Sequence, residues 1–444
     1  MAAPASVRTV LPLLRHNPDY RRLFLATVIS LLGDWFAFVA ISGFVTESTG
    51  RSGSSAAVFA ASVLPTFLFS PLAGLLADRV DRKRLLVAVD LLRLLPALGL
   101  LAALRLHSPA LAISCVALLA ALSSFFDPVA EASVPNVVTP EELPIAQAAL
   151  GAVWGTMLFV GAAVGGLATA AFGREASLLL NAATFLLSAL LVAGIRRPLQ
   201  HSGARSSNGA WAQLGEVVTL ARDNRLTRSL LVTKAGVGLG NGIVGLLPAF
   251  AAERFASGDA GVGMLLAARG LGVLFGPFLG QRWAGGDGRR LLLVCGGSMM
   301  SYGLAYALLP FAPTLPLAAV CVLLAHLGGG AQWVLSTYGL QVSTPDRLRG
   351  RVLAFDFGLA TLAIGVSSLA AGAAAERVGL ATTSWALAGA SLVYGAGWLW
   401  WTRGLWSGRV DDVLAAPTPL SPVEEGSPIP HPPPAPSPRR HASG

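Results

Sequence analysis

Charge is what this 444-residue chain has least of: 12% of its residues are Asp, Glu, Lys or Arg, against 54% hydrophobic and a mean hydropathy of +0.64. A soluble fold built from it would have too little polar surface, which excludes a soluble globular protein. Cysteine is scarce as well. Cys115, Cys295 and Cys321 fall inside apolar runs without metal-ligand spacing, so packing is their expected role and neither a disulfide framework nor a metal site is expected. No Gly-rich phosphate loop with its Lys is present, which excludes ATP-driven pumping, and no His, Asp or Cys set clusters at one membrane face as an enzyme would need. The start, MAAPASVRTVLPLLRHNPDYRRLF, is basic and lacks a small-residue cleavage site, so the first apolar segment is expected to be retained.

What the chain does have is long apolar runs. A helix needs about 20 such residues to cross a hydrocarbon core of roughly 30 Å. About twelve spans meet that length: 23–46, 55–77, 85–105, 109–130, 145–171 and 175–195, then 229–252, 260–283, 291–312, 315–340, 352–375 and 380–402. With the N-terminus inside, most Arg and Lys fall on one side, including Arg8, Arg21, Arg82, Lys83, Arg196, Arg228, Arg290 and Arg349. The other side keeps only Arg51, Arg105, Arg174, Arg254 and Arg377, and the asymmetry makes the first side cytoplasmic. It also accounts for the formal charge of +9 without nucleic acid, because the basic residues are spread over short loops. The Pro-rich, aromatic-free tail from Asp411 onward is expected to be disordered and cytoplasmic.

One phrase occurs twice. LFSPLAGLLADRVDRKRLL (68–86) returns as LFGPFLGQRWAGGDGRRLL (274–292), with Pro71 matching Pro277, Gly74 matching Gly280 and Asp81 matching Asp287. Thr139-Pro140 likewise answers Thr344-Pro345, and Gly33-Asp34 answers Gly240-Asn241, all at nearly one offset. The halves are therefore expected to be copies of six helices each, in the same orientation and related by an axis along the membrane normal. Between them runs a polar link whose WAQLGEVVTLARDNRLTRS suits an amphipathic surface helix.

These residues resemble the major facilitator superfamily, whose loop between the second and third helices reads G-x-L-A-D-R-x-G-R-K/R and stands here as Gly74 to Arg84, with Asp81 in place of glycine. NPDYRRLFLATVISLLGDW (17–35) and FFDPVAEASVPNVV (125–138) resemble its bacterial macrolide-efflux and enterobactin-exporter-like branch. The resemblance implies a rocking transport cycle. It also implies that Asp78 and Arg82 pack near the eleventh helix, where Asp356 could meet Arg79 or Arg82 in a cytoplasmic gate shared with Lys83. The second copy has Ala284 and Gly285 where the first has Asp78 and Arg79, so the gate is expected to be asymmetric, or else the loop is only a topology signal. In drug–proton exchangers the fourth helix begins with a characteristic arginine, and none stands between Ala110 and Ala130.

A charge at the bilayer centre costs about 2.5–3.5 kcal/mol, so residues that carry one face a cavity or a partner. Asp34 lies near mid-depth of the first helix and is read as a proton-coupling carboxyl, or else as a structural Asp bonded to a neighbouring helix. Asn241 at the matching position cannot ionise and is read as a hydrogen bonder to substrate or helix. Arg269 is the candidate for an anionic or carbonyl group on the substrate, His326 for a share in proton transfer, and Gln332 and Trp333 for lining the cavity. Asp127 and Glu131, with Lys234, are candidate gating residues; Asp90 and Arg93 are spaced to pair, structurally. GAAVGG (161–166) and the Gly272, Gly276, Gly280 series argue for close helix packing.

The expectation is an all-α membrane protein with two six-helix bundles. Its parts are a cytoplasmic N-terminal segment (1–22), the first bundle (23–195), a linker (196–228), the second bundle (229–404) and the tail (405–444). It is read as a monomeric secondary transporter of the cell membrane, with both termini cytoplasmic and no cofactor, exporting small drug-, macrolide- or siderophore-like amphipathic molecules by proton antiport. The alternatives are a metabolite importer of the same fold, or an uncoupled transporter-like receptor or lipid-moving protein.

Overall fold

The computed structural model describes residues 7–200, 210–285 and 287–406; within them the side chains of 7–9, 70, 71, 73–75, 77–79, 210–214, 346 and 347 stand outside the description. The proposed gate residues Asp78 and Arg79 and the Pro-rich tail therefore lie outside the described side chains and residues.

Among the described residues all regular structure is helical. A short helix α1 (Val7–His16) precedes α2 (Pro18–Thr49), α3 (Ser52–Arg79), α4 (Arg82–Arg105), α5 (Pro109–Val137) and α6 (Leu143–Ala193). The linker carries α7 (Ala210–Asp223). The second half comprises α8 (Arg225–Gly240), α9 (Gly242–Ala249), α10 (Gly258–Ala284), α11 (Gly288–Leu308), α12 (Leu315–Ser343), α13 (Asp346–Val378) and α14 (Leu380–Thr402). Ten helical segments are long and apolar enough to cross a membrane, with α8, α9 and a following π-helical turn (Phe250–Arg254) counted as one. The 51-residue α6 holds two spans, and α14, whose hydropathy is diluted by Thr, Ser, Gly and Trp, supplies the last, so twelve crossings result.

The repeat seen in sequence is a repeat of helix punctuation. Asp81 caps α4 by accepting from the Arg84 backbone N–H at 2.8 Å, and Asp287 caps α11 by accepting from that of Arg290 at 2.8 Å. A cap of this kind is worth about 1 kcal/mol and fixes where each third helix begins. The breaks before the sixth and twelfth spans also match: Gly173 has φ 84°, ψ 166° and Gly379 has φ 83°, ψ 165°. Only glycine adopts such a conformation without strain, so one residue ends a helix and restarts the next in both halves.

One seam joins the halves. At the face opposite the Arg-rich loops, Arg174, next to the Gly173 break, holds both carboxylate oxygens of Asp259 on α10 through Nε and Nη2 (2.9 and 3.0 Å) and Glu47 on α2 through Nη1 (2.8 Å). Arg51 pairs with Glu376 on α13, and the Ser52 hydroxyl donates to Glu253 at 2.6 Å. Below these bonds the backbones touch: a Cβ added at Gly166 of α6 would lie 2.6 Å from the Cα of Gly263 on α10, so neither position tolerates a side chain. The seam continues to Phe67 against Gly358 and Gly155 against Leu274. Nearer the basic face, no hydrogen bond or ion pair joins the two six-helix halves among the described residues. Among the described residues, the polar bonds that join the halves all lie at the face opposite the basic loops.

Around the basic face the described bonds tie each half to itself or to the linker. Arg82 donates to the carbonyls of Ala132 (2.6 Å) and Leu199 (3.4 Å), and Lys83 to that of Ile195 (2.7 Å). These cations bond backbone carbonyls of their own half, on α5 and in the segment that follows α6. Arg82 therefore does not meet Asp356 of the eleventh span, as the resemblance implied it could, and Lys83, named with it for the gate, is likewise held within its own half. The linker helix α7 docks on the second half through Glu216 and Arg351.

Helix α1 is held by His16, whose Nε2 lies 2.6 Å from Glu142. Its imidazole is raised above the ordinary 6.5 by the bond to Glu142 and then by the Pro12 carbonyl. A raised folded value means the contact is complete below the ordinary value and is lost as pH rises through the folded one. Limited proteolysis within α1 should accelerate on going from pH 6 to pH 8 in the wild type and be insensitive to pH over that window in His16→Ala. For the seam, Arg174→Gln should move spin labels at Ser48 on α2 and Ala260 on α10 further apart, measured by pulsed electron resonance.

Candidate functional site

Four helices of the first half meet at Arg93. Its guanidinium, 1% exposed, donates to Asp90 (3.2 Å) on its own helix α4 and to Ser30 (3.1 Å) on α2, and lies over the rings of Phe126 on α5 (4.8 Å) and Phe185 on α6 (5.4 Å). Asp34, one turn along α2 from Ser30, and Asp127, beside Phe126, are both within its electrostatic reach, and the Asn181 amide lies beside Asp34. Arg93 is thus more than the structural partner of Asp90. Its sequence signal, an acid and a base three residues apart in an apolar run, was visible; that the pair points at Asp34 was not.

Asp127 and Glu131, on the same side of α5 as this neighbourhood, are exposed. Lys234, expected beside them, is elsewhere. It is 3% exposed and enclosed within the second half, where it pairs with Asp356 of α13, donates to Thr337 of α12 at 2.8 Å and lies 4.7 Å from the centre of the Trp333 ring. This corrects two expectations at once. Asp356 does not meet Arg82, and Lys234 does not join Asp127 and Glu131, because a buried ion pair satisfies both charges inside one bundle. Trp333 forms the wall of that pair and packs edge-on to Phe357 at 6.3 Å.

A second cluster of the same half gathers at mid-depth. His326 of α12 shares a 2.9 Å hydrogen bond with the Tyr306 hydroxyl and packs edge-on to Tyr302 (5.3 Å) and Tyr306 (5.9 Å), both on α11. Arg269 of α10 faces these tyrosines and lies 5.6 Å from the ring centre of Phe59, which comes from α3 of the other half. Asp34 and His326, both read as proton-coupling residues, are not brought together: they belong to separate clusters in separate halves. Tyr302, Tyr306 and Phe59 were missed in sequence, where aromatic residues inside apolar runs carry no distinguishing signal.

Asn241 lies where the seventh span breaks between α8 and α9. Its amide donates back to the Val237 carbonyl at 3.2 Å, and the freed Gly242 N–H is taken up by Ser367 of α13 at 3.1 Å. The position matching Asp34 is therefore a hinge in the second copy. Gln332 is fully buried, and its amide finds no partner among the described residues. The glycines of α10 pack as expected, with Gly272 and Gly276 against α12 backbone and Gly280 against Ala331.

Residues 9–403 match the family described as transmembrane secretion effector. The multidrug efflux pump Tap of Mycolicibacterium fortuitum is 26% identical over 387 residues, covering 84% of this chain and 93% of that protein. The pump of the same name from Mycobacterium tuberculosis is 27% identical over 391 residues, covering 84% and 90%. Among solved structures, the nucleoside transporter NupG superposes with a TM-score of 0.63 at 16% identity over 86% of this chain and 98% of that one, a likeness of fold.

Breaking a buried pair by removing one partner costs about 3–5 kcal/mol, whereas replacing both by apolar residues costs far less. Lys234→Met alone should therefore lower the thermal midpoint in detergent sharply, and Lys234→Met with Asp356→Leu should recover most of the loss.

Proposed function

Because the chain belongs to the transmembrane secretion effector family of major facilitator transporters, proteins that move solutes rather than transform them, we propose that it exports small amphipathic molecules from the cytoplasm by alternating access and proton antiport. The observation that carries this reading is the first-half cluster, in which the Asp90–Arg93 pair lies within electrostatic reach of two further carboxyls, Asp34 and Asp127. Three carboxylates around one cation are balanced by taking up protons, and a rocking motion that changes their access to water lets protons enter from one side and leave on the other. The efflux-pump names of the relatives support the outward direction. On this reading the basic face is cytoplasmic, the chain acts as a monomer in the cell membrane, and the conformation is the one that receives substrate from inside. The seam of Arg174, Asp259, Arg51 and Glu376 is the outer gate that must break for release.

The role of the inner gate passes to surfaces other than the pairs expected from sequence. Arg82 and Lys83 stabilise their own half, and Asp127 and Glu131 are exposed and without an ion-pair partner among the described residues. His326, bonded to Tyr306 and flanked by Arg269, takes the role of a positioning residue for the aromatic wall.

One proton moved through 100 mV contributes about 2.3 kcal/mol, roughly a 40-fold gradient. Cells expressing the wild type should accumulate less of a transported member of a macrolide, siderophore and dye panel. Asp34→Asn and a protonophore should each restore accumulation, and the gradient lost should be of that order. Unchanged efflux in Asp34→Asn removes the coupling role; increased uptake by the wild type removes export.

A further inference from the structure

The two halves balance their buried charges in opposite ways. Each contains one internal ion pair, Asp90 with Arg93 in the first and Asp356 with Lys234 in the second. With those set aside, the charges left over at the centre have opposite signs. The first half retains Asp34, Asp127 and Glu131, none of which has an ion-pair partner of its own among the described residues. The second retains Arg269, whose guanidinium has neither a carboxylate partner nor a hydrogen bond to its buried Nε among the described residues.

Between these poles runs an aromatic ledge. Phe38 lies one helical turn from Asp34 on the same side of α2, packs edge-on to Trp35 at 5.8 Å, and meets Phe59 at 6.1 Å. Phe59 in turn carries Arg269 over its ring. The ledge therefore leads from the acidic pole, across the seam between the halves, to the basic one. A cation half-buried at mid-membrane with only aromatic neighbours is costly to maintain, and an anionic group brought by a ligand is what would neutralise it. The guanidinium fork suits a carboxylate, which it can grip through two parallel bonds.

The geometry points to a bipolar substrate site: the transported molecule is a zwitterion with an apolar body, its ammonium held by Asp127 and Glu131, its body laid on the half-buried Trp35 and Phe38 over the buried Phe59, and its carboxylate held by Arg269. This rests on the transporter reading above and names the class of molecule that the central cleft takes. Arg269 is then a specificity residue. A substrate that is only a cation leaves the arginine unpaired, and one that is only an anion leaves the acidic pole repelling it.

The test uses three forms of one scaffold and the purified full-length protein in detergent, with binding read by isothermal titration. The scaffold is phenylalanyl-phenylalanine; its methyl ester removes the carboxylate and its N-acetyl form removes the ammonium. The free dipeptide should bind most tightly, with each blocked form weaker by roughly 10- to 100-fold, the worth of one charge-assisted bond. In Arg269→Gln the advantage of the free dipeptide over its ester should vanish while the ester's own affinity is unchanged, and Arg269→Lys should restore part of the preference. The variant should melt no lower than the wild type, because it removes an unpaired charge. The proposal is overturned if the ester or ethidium, a cation with no carboxylate, binds as tightly as the free dipeptide, if none of the three forms binds, or if Arg269→Gln keeps the wild-type preference. Binding in detergent needs neither a gradient nor a direction, so a failure of proton-driven export leaves this result standing, and a failure here leaves the efflux result standing.

Discussion

A charge in the hydrocarbon layer must find a partner, and the architecture of this protein follows from how that demand is met. Arg93 is met by a carboxylate, a hydroxyl and two aromatic faces contributed by four helices, and Lys234 by a carboxylate, a hydroxyl and an indole contributed by two. Each cation is therefore also a packing centre. Removing a single partner exposes the whole desolvation cost of the other, which locks the helices of each half into one arrangement. Rigid halves are what a rocking mechanism needs, since motion is then confined to the seam between them.

The seam is built from weaker material than the halves. At the face opposite the basic loops it includes an ion pair that is largely wet, Arg51 with Glu376, where the arginine is 66% exposed. Exposed pairs contribute about 1 kcal/mol or less, so they can form and break within a cycle. Beneath them, the Gly166–Gly263 approach lets two backbones meet without interlocking side chains. The pairs enclosed inside each half thus contrast with a seam that mixes the exposed Arg51–Glu376 pair with the partly enclosed Arg174–Asp259 pair.

Duplication supplied the scaffold, and divergence supplied the asymmetry. The capping aspartates Asp81 and Asp287 and the helix-breaking glycines Gly173 and Gly379 occupy matching positions because each does a backbone task that has few alternatives. The midplane positions have no such constraint. Asp34 faces the Arg93 cluster in one half, while its counterpart Asn241 sits at a helix break in the other, with Ser367 taking up the backbone group released there. One half has thereby become the acidic side of the centre, and the other its aromatic and basic side.

Twelve spans, two copies and the helix starts were legible in the chain itself, because each depends on local quantities: apolar length, a short polar residue before a helix, a glycine after one. The importance of Asp34 was legible for the same reason, since an aspartate in an apolar run is costly wherever it ends up. The partners were not. Lys234 lies 122 residues from Asp356, and Arg93 lies 59 residues beyond Asp34, and nothing local says which bundle will claim a given charge. Sequence-based reasoning joined Asp356 to Arg82 across the halves, whereas folding satisfied both within their own halves, where desolvation makes an unpaired charge most costly. Composition and periodicity thus determined that this is a two-fold helical membrane protein with ionisable groups at its centre; which of those groups are locked in pairs and which are left to meet a proton or a substrate was decided only by the packing of distant helices.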